Sequence, residues 1–337
     1  GDTETLGAVF EEIRAEGPVD IVIHLAAHYD FSGEDHPEYY RTNVDGLRSV
    51  LERSCELRPK LFLFSSSVAA CAFPPVGKAL TEKSPPDGDH IYAKTKAIGE
   101  EMLAEYRDHF PSLIVRFAAL FSDWCEYPPL YMFLRTWLSR AWNARILGGR
   151  GESAIPYLHV NDATSFLKRV LDTYQNLEDG EILIASPDGA VSHEQLYIEA
   201  TQYYFDDAKP PLHMPRLLIK PGIHAQSFAG RFTSEQPFER PWMASYVDKE
   251  LTVDASRTRE RLDWAPKRRL EILYRLPFLI ENRKYDHIEW TRRNRDAMKM
   301  VRVRPNLKIH SLLQKHKQQI IEDCTAALRA QYPHYQE

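Results

Sequence analysis

The sequence of 337 residues has no long apolar segment, no cysteine cluster and no large excess of charge of one sign. No apolar run reaches the roughly 18–20 residues that a membrane-spanning helix needs, and no signal-like apolar segment opens the chain. The four cysteines lack CxxC spacing, which favours reduced thiols over disulfides or a zinc site. A net charge of -5 gives no indication of nucleic-acid binding. We therefore expect a cytoplasmic protein with no membrane span, no bound metal and no nucleic-acid partner.

Basic residues are concentrated towards the C-terminus. Residues 281–310 contain nine basic and four acidic side chains, so this stretch carries +5 and the remainder of the chain carries -10. Such a shift predicts a boundary near residue 280, with a basic linker and helical tail over residues 281–337. Apolar residues three or four positions apart predict a helix with one apolar face over residues 308–330. We expect this tail to contact a further domain, a partner protein or a second copy of the chain in a homodimer.

Short apolar runs alternate with helical patterns in the first half of the chain. Runs at residues 19–25, 61–64 and 112–117 are typical of strands, and helices are predicted over residues 37–58 and 91–109. Continuous rather than alternating apolarity indicates strands that are buried on both faces, as in parallel sheets covered by helices. The pattern therefore predicts an α/β fold with a doubly wound parallel sheet.

Beyond about residue 123 the pattern becomes less regular. We predict helices over residues 128–142 and 161–174 and a strand over residues 181–185. Residues 210–245 contain several prolines and aromatic residues, with little clear periodicity. This part of the chain is expected to form a smaller, irregular lobe that faces the substrate.

The sharpest local motif is YAKTK at residues 92–96. Positions i and i+4 of a helix share a face, so Tyr92 and Lys96 point in the same direction. A tyrosine ordinarily has a pKa near 10, and a nearby ammonium favours the phenolate and lowers that pKa. Such a pair can pass a proton to or from a substrate oxygen. An exposed amphipathic helix without a catalytic role has the same spacing, so the motif alone leaves both interpretations open.

Neighbouring segments favour the catalytic interpretation. The apolar run 61–64 continues into three serines at the carboxyl end of a predicted strand, where open α/β sheets bind their ligands. The predicted strand at 19–25 is followed by Ala26 and Ala27, small residues that allow close packing against a flat cofactor. Asn43 opens the next predicted helix, where an ordinary N-cap is the alternative interpretation.

Together these segments resemble the extended short-chain dehydrogenase/reductase superfamily, in particular its NAD-dependent epimerase/dehydratase family. The matches follow the family's order and cover about residues 1–280. They are GD at Gly1, HLAA at His24, TNVxG at Thr42, SSS at Ser65, YAKTK at Tyr92, IVR at Ile114, YLHVND at Tyr157 and VDASRTRERLDWAP at Val253.

The resemblance implies a Rossmann-like doubly wound parallel sheet that is incomplete at its N-terminus. This NAD(P)-binding domain is expected to span residues 1–125, with residues 157–188 returning to it. A smaller substrate-binding lobe is expected from residues 126–156 and 189–280, followed by the helical tail.

The resemblance also implies roles for individual residues. Tyr92 would be the general acid/base, and Lys96 would lower its pKa and bind the nicotinamide ribose. Ser67 would hold the reacting oxygen, with Ser66 as the less favoured alternative. The implied cofactor is NAD or NADP, and its expected contacts are Asp2 at the adenine, Leu25, Ala26, Ala27, Asn43, Ser65, Tyr92 and Lys96.

The family's GxxGxxG turn is missing from the sequence, which also lacks an initiator methionine. In the family this turn opens the helix whose N-terminus holds the cofactor's pyrophosphate. We expect the 337 residues to be a piece of a longer protein, and the alternative is a degenerate relative that has lost phosphate binding. In either case we expect weak cofactor binding and marginal folding of these 337 residues.

The substrate motif also departs from the family. Where sugar-nucleotide enzymes read RPxNVYGP, this chain reads RFAALFSD from Arg116, so Ala119 stands where the asparagine contacts the sugar nucleotide. The aromatic stretch that follows favours an apolar or aromatic hydroxyl or ketone substrate over a sugar nucleotide. The sequence thus predicts an NAD(P)-dependent oxidoreductase or epimerase acting on a small molecule. The alternative is a catalytically degenerate relative that acts as a binding or scaffold protein through its tail.

Overall fold

The computed structural model describes residues 3–207, 209–233 and 237–301. In chain order its elements are α1 (Thr3–Glu16), β1 (Ile21–His24), α2 (Pro37–Tyr40), α3 (Gly46–Leu57), β2 (Leu61–Ser67), α4 (Ile91–Leu103), β3 (Ser112–Phe117), β4 (Ala119–Phe121), α5 (Pro128–Trp137), β5 (Ile146–Gly148), β6 (Ala154–Ile155), β7 (Tyr157–His159), α6 (Val160–Thr173), β8 (Glu181–Ala185), β9 (Val191–Ser192), α7 (His193–Phe205), β10 (Leu212–Met214), α8 (Arg216–Thr233), α9 (Ser256–Leu262), α10 (Ile272–Tyr285), α11 (His287–Arg293) and α12 (Arg295–Val301). A π-helical turn at Arg41–Asp45 joins α2 to α3, and a 3₁₀ helix spans Pro241–Tyr246.

Four parallel strands form the main sheet in the order β1-β2-β3-β8. Side chains of β2 alternate between its two faces: Phe62 and Phe64 pack with α3 and α4, whereas Leu61 and Leu63 pack with α6 and α9. Helices therefore cover both faces of the central strands β2 and β3, which explains their continuous apolar runs. The expectation of burial on both faces is wrong for β1, which lies at the edge of the sheet and leaves Ile23 37% exposed. The predicted strands and the predicted doubly wound α/β fold are confirmed.

The rest of the chain forms a helical assembly with three small strand pairs, β4 with β7, β5 with β10 and β6 with β9. Its core joins buried side chains of α5, α7 and α10. The helix predicted over 128–142 ends earlier, at Trp137, and α8 lies in the stretch 210–245 that shows little periodicity in the sequence. Pro221 lies inside α8, which helps to explain why no helix is predicted there.

The charge shift near residue 280 falls inside α10. Beyond it, Trp290, Ala297 and Met298 are buried in the same core as Leu276 and Leu279. Residues 281–301 therefore pack with the rest of the lobe, while the helix predicted over 308–330 lies outside the described residues. The division into domains stays a prediction. Within the described ranges, no helix is long and apolar enough to cross a membrane.

Candidate active site

A cavity of about 1670 Å³ lies at the carboxyl ends of the central strands and is also lined by residues of the lobe. Most of the predicted site residues border it: Leu25, Ala27, Ser65, Ser66, Ser67, Tyr92 and Lys96. Ala26 and Asn43 are not among the residues that line it. Asp2 lies outside the described residues. The predicted catalytic side chains thus meet at one cavity.

The start of α4 fixes the positions of Tyr92 and Lys96. His90 is the N-cap residue of this helix, and its Nδ1 accepts a hydrogen bond from the backbone N–H of Ala93 at 3.2 Å. One turn further on, Lys96 is only 3% exposed, and its Nζ donates to the backbone carbonyl of Ser65 at 2.6 Å. The same Nζ lies 5.8 Å from the ring centre of Tyr92. The ammonium therefore ties the helix to the end of β2 beside the phenol.

The two side chains have shifted pKa values, both because of burial. Burial lowers the pKa of Lys96 to about 8, although the nearby Glu100 carboxylate acts in the opposite direction. Burial raises the pKa of Tyr92 to about 12. This shift is opposite to the lowering expected from the motif, and its cause is the desolvation of the phenol. At neutral pH, Tyr92 is therefore a neutral phenol that holds a proton.

The serines at the end of β2 differ in their hydrogen bonds. Ser66 donates from Oγ to Oε1 of Glu100 at 2.5 Å, and Glu100 is also held by a buried two-point ion pair with Arg116. Ser67 accepts a hydrogen bond on Oγ from the backbone N–H of Ala69 at 3.1 Å. The Ser66 proton is thus committed to the buried Glu100 carboxylate, whereas no described residue accepts the hydroxyl proton of Ser67.

Asn43 lies in the π-helical turn and braces the surroundings of the site. Its amide accepts from the backbone N–H of His28 at 2.6 Å and donates to the carbonyl of the same residue at 3.0 Å. It also donates to Oγ1 of Thr95 on α4 at 3.0 Å. The N-cap alternative does not hold, because the side chain links the loop after β1 to α4 rather than capping its own helix.

An aromatic wall around Tyr92 was not predicted from the sequence. The ring of Tyr29 stacks on Tyr92 with centres 4.1 Å apart and planes within 6°. His90 lies 6.2 Å from Tyr92 and 5.8 Å from Trp242, and Tyr246 hydrogen-bonds to Asp89. Tyr29 follows the HLAA motif by two positions, and His90 precedes the YAKTK motif by two positions. This closeness in sequence was the only signal that could have marked them as site residues.

The cavity also offers a surface that fits the nicotinamide end of NAD. Leu25 follows β1 and is 57% exposed, an apolar side chain that the described protein leaves uncovered beside Ala27 and Ser65. Lys96 supplies a cation at the same strand ends. No strand-to-helix junction of the described residues carries the GxxGxxG pattern that would cradle a pyrophosphate.

Residues 1–185 match the model of the NAD dependent epimerase/dehydratase family. The chain belongs to this family. The assignment confirms the predicted enzyme class and the predicted NAD cofactor. No curated protein sequence matches the chain.

Solved structures of similar fold include several sugar-nucleotide enzymes. UDP-glucuronic acid 4-epimerase from Bacillus cereus is 16% identical, with 84% of this chain and 80% of that chain covered and a TM-score of 0.62. UDP-glucose 4-epimerase from Thermotoga maritima is 20% identical, with 84% and 82% covered and a TM-score of 0.62. dTDP-glucose 4,6-dehydratase from Bacillus anthracis, solved with NAD, is 18% identical, with 85% and 80% covered and a TM-score of 0.61. These similarities support the Rossmann-like fold.

Proposed function

We propose that this protein catalyses NAD-dependent hydride transfer at a substrate hydroxyl or ketone, with Tyr92, Lys96 and Ser67 as its catalytic residues. The observation that supports the proposal most is that all three border one cavity, with the Lys96 ammonium anchored at the end of β2 beside the Tyr92 phenol. The Lys96 side chain is only 3% exposed, and burying an ammonium costs free energy. Buried charged groups of this kind are concentrated at functional sites.

NAD, when bound, supplies or accepts the hydride. Leu25, Ala27 and Ser65, which line the cavity, would hold its nicotinamide end, with Lys96 directed at the adjoining ribose. Tyr92 passes a proton between its hydroxyl and the substrate oxygen, and Ser67 donates a hydrogen bond to that oxygen. Because the pKa of Tyr92 is raised to about 12, the phenol is protonated at neutral pH, and this favours the reductive direction.

The substrate of this reaction is proposed to be an apolar or aromatic ketone or alcohol. Ala119 borders the cavity where family members with sugar-nucleotide substrates have an asparagine. Tyr127, Phe133 and Trp137, from the aromatic stretch of the sequence, line the same cavity. Sugar nucleotides, which occur in the names of the structurally similar enzymes, are the competing substrate class. The scaffold alternative gains no support, because the tail beyond residue 301 is outside the described residues.

Binding and turnover assays test this function. Binding of NADH and NADPH is followed by nicotinamide fluorescence, and turnover is compared between aromatic ketones and UDP-glucose. We expect NADH to bind, weakly because no described strand-to-helix junction has the GxxGxxG pattern for its pyrophosphate, and aromatic ketones to be reduced. Lys96→Met should weaken NADH binding and slow ketone reduction, each about tenfold or more, since it removes a charge-assisted hydrogen bond. Lys94→Met, an exposed lysine on the same helix, is the matched control.

Three results would contradict the proposal in whole or in part. Failure to bind either nucleotide would remove the hydride chemistry and leave a binding protein. Equal activity of the Lys96→Met and Lys94→Met variants would show that Lys96 has no catalytic role. Turnover of UDP-glucose without reduction of aromatic ketones would reverse the assignment of substrate class.

A further inference from the structure

His90 stands beside the proposed proton donor and has no part in the reaction described above. Its ring lies parallel to that of Tyr92, with centres 6.2 Å apart and planes within 7°, and also nearly parallel to that of Tyr29. His90 borders the cavity, and the ring centre of Trp242 lies 5.8 Å from that of His90. His90 is therefore part of the wall that a substrate bound at Tyr92 must meet.

The capping role of His90 determines which ring nitrogen carries the proton. The backbone N–H of Ala93 donates to Nδ1, so Nδ1 is unprotonated. Burial lowers the pKa of His90 to about 4, so the ring is neutral at neutral pH and its proton lies on Nε2. No described residue accepts a hydrogen bond from this Nε2–H. The ring thus presents a neutral donor beside Tyr92, in a fixed tautomer.

We propose that His90 is a specificity-determining residue, whose Nε2–H donates a hydrogen bond to a second oxygen of the substrate, on the carbon next to the reacting ketone. The substrate class is then an aromatic α-hydroxy ketone or the corresponding diol. This inference rests on the proposed function, in which Tyr92 serves the reacting oxygen. Hydrogen bonds of about 2.8 Å from two residues with ring centres 6.2 Å apart can reach neighbouring oxygens of one small group.

Two cap-preserving substitutions separate this role from helix capping. His90→Asn and His90→Ser both retain a side-chain acceptor for the N-terminus of α4 and remove the ring donor. His36 provides the matched control, because its Nδ1 caps α2 in the same way, at 3.1 Å from the backbone nitrogen of Glu38, and it lies away from the cavity. His36→Asn therefore makes the same chemical change without touching the substrate wall.

The probes are benzoin and deoxybenzoin, aromatic ketones that differ by one α-hydroxyl group. Their dissociation constants are measured by calorimetry without nucleotide, so the result does not depend on turnover. We expect the unmodified protein and His36→Asn to bind benzoin about five- to tenfold more tightly than deoxybenzoin, the value of one neutral hydrogen bond. Both His90 variants should bind the two probes equally.

A preference for benzoin that survives in both His90 variants would overturn the inference. So would equal binding of the two probes, or no binding of either, by the unmodified protein. A different result would contradict the proposed function, namely a Tyr92→Phe variant that still reduces ketones at the normal rate. The two proposals can therefore be rejected independently.

Discussion

The phenol rings of Tyr29 and Tyr92 stack face to face, with centres 4.1 Å apart and planes within 6°. Tyr29 comes from the loop after β1, whereas Tyr92 belongs to the first turn of α4, so the stack joins two segments that are distant in sequence. Tyr29 also packs against Phe31 at 3.9 Å. The orientation of the proposed proton donor therefore depends on an aromatic neighbour as well as on its helix.

Removing this neighbour should impair the reaction. Tyr29→Ala leaves the Tyr92 ring without its stacking partner, and we expect kcat/KM for an aromatic ketone to fall about three- to tenfold, in line with the usual energy of such pairs. Tyr29→Phe keeps the ring and should retain most of the activity. Steady-state kinetics of both variants provide the check. Equal rates in Tyr29→Ala and Tyr29→Phe would mean that the stack does not orient Tyr92.

Gly33 lies directly against Trp242, a residue of the aromatic wall. A Cβ at this position would lie 2.2 Å from Cδ1 of Trp242, and the backbone φ of 71° already disfavours other residues. Gly33→Ala should therefore lower the free energy of unfolding by about 1–3 kcal/mol more than Gly77→Ala does. Gly77 has a similar φ of 75° and nothing within 4 Å of its Cβ position.

Urea denaturation of the two glycine variants measures this difference. In a Trp242→Ala background the two substitutions should become equivalent, because the clashing ring is gone. An equal effect in the original background would show that Trp242 does not occupy this position in solution.

The lowered pKa of Lys96 predicts how stability varies with alkaline pH. The folded protein releases this proton near pH 8, whereas the unfolded chain keeps it to about 10.5, so the unfolded state binds more protons between these values. The free energy of unfolding should therefore rise with pH in this window relative to Lys96→Met, by at most about 3 kcal/mol. Lys94→Met is the control for losing a lysine from α4.

Denaturation curves at pH 7.5, 9 and 10.5 measure this rise. A difference between the unmodified protein and Lys96→Met that stays constant over the three pH values would contradict the burial of a charged Lys96. A falling difference would mean that the pKa is shifted in the opposite direction.

The sequence predicts the sheet and the helix of the proposed catalytic residues well, because both depend on local patterns. Continuous apolar runs at β2 and β3 reflect burial on both faces, and YAKTK needs only helical spacing to place Tyr92 and Lys96 on one side of α4. The aromatic wall depends instead on contacts between residues that are far apart in the chain. Tyr29 and Trp242 are 213 positions apart in the chain, and no periodicity marks either residue.

The direction of the pKa shift of Tyr92 could not be predicted from the sequence either. Spacing alone indicates that Lys96 lies near Tyr92, and an ammonium near a phenol should lower its pKa. The structure adds the burial of Tyr92, which raises its pKa, and the hydrogen bond from Lys96 to the Ser65 carbonyl. A sequence contains no direct measure of desolvation, so the direction of this shift was predicted wrongly.

The most direct test of the account is the rate of ketone reduction by Tyr92→Phe, measured under single-turnover conditions with saturating NADH. Tyr285→Phe is the matched control, since Tyr285 is 85% exposed and is not among the residues that line the cavity. We predict a rate at least about 100-fold lower for Tyr92→Phe, the usual contribution of a positioned general acid, with unchanged NADH affinity. The control should keep the normal rate. A Tyr92→Phe rate within twofold of the control would contradict the central claim that Tyr92 transfers the proton.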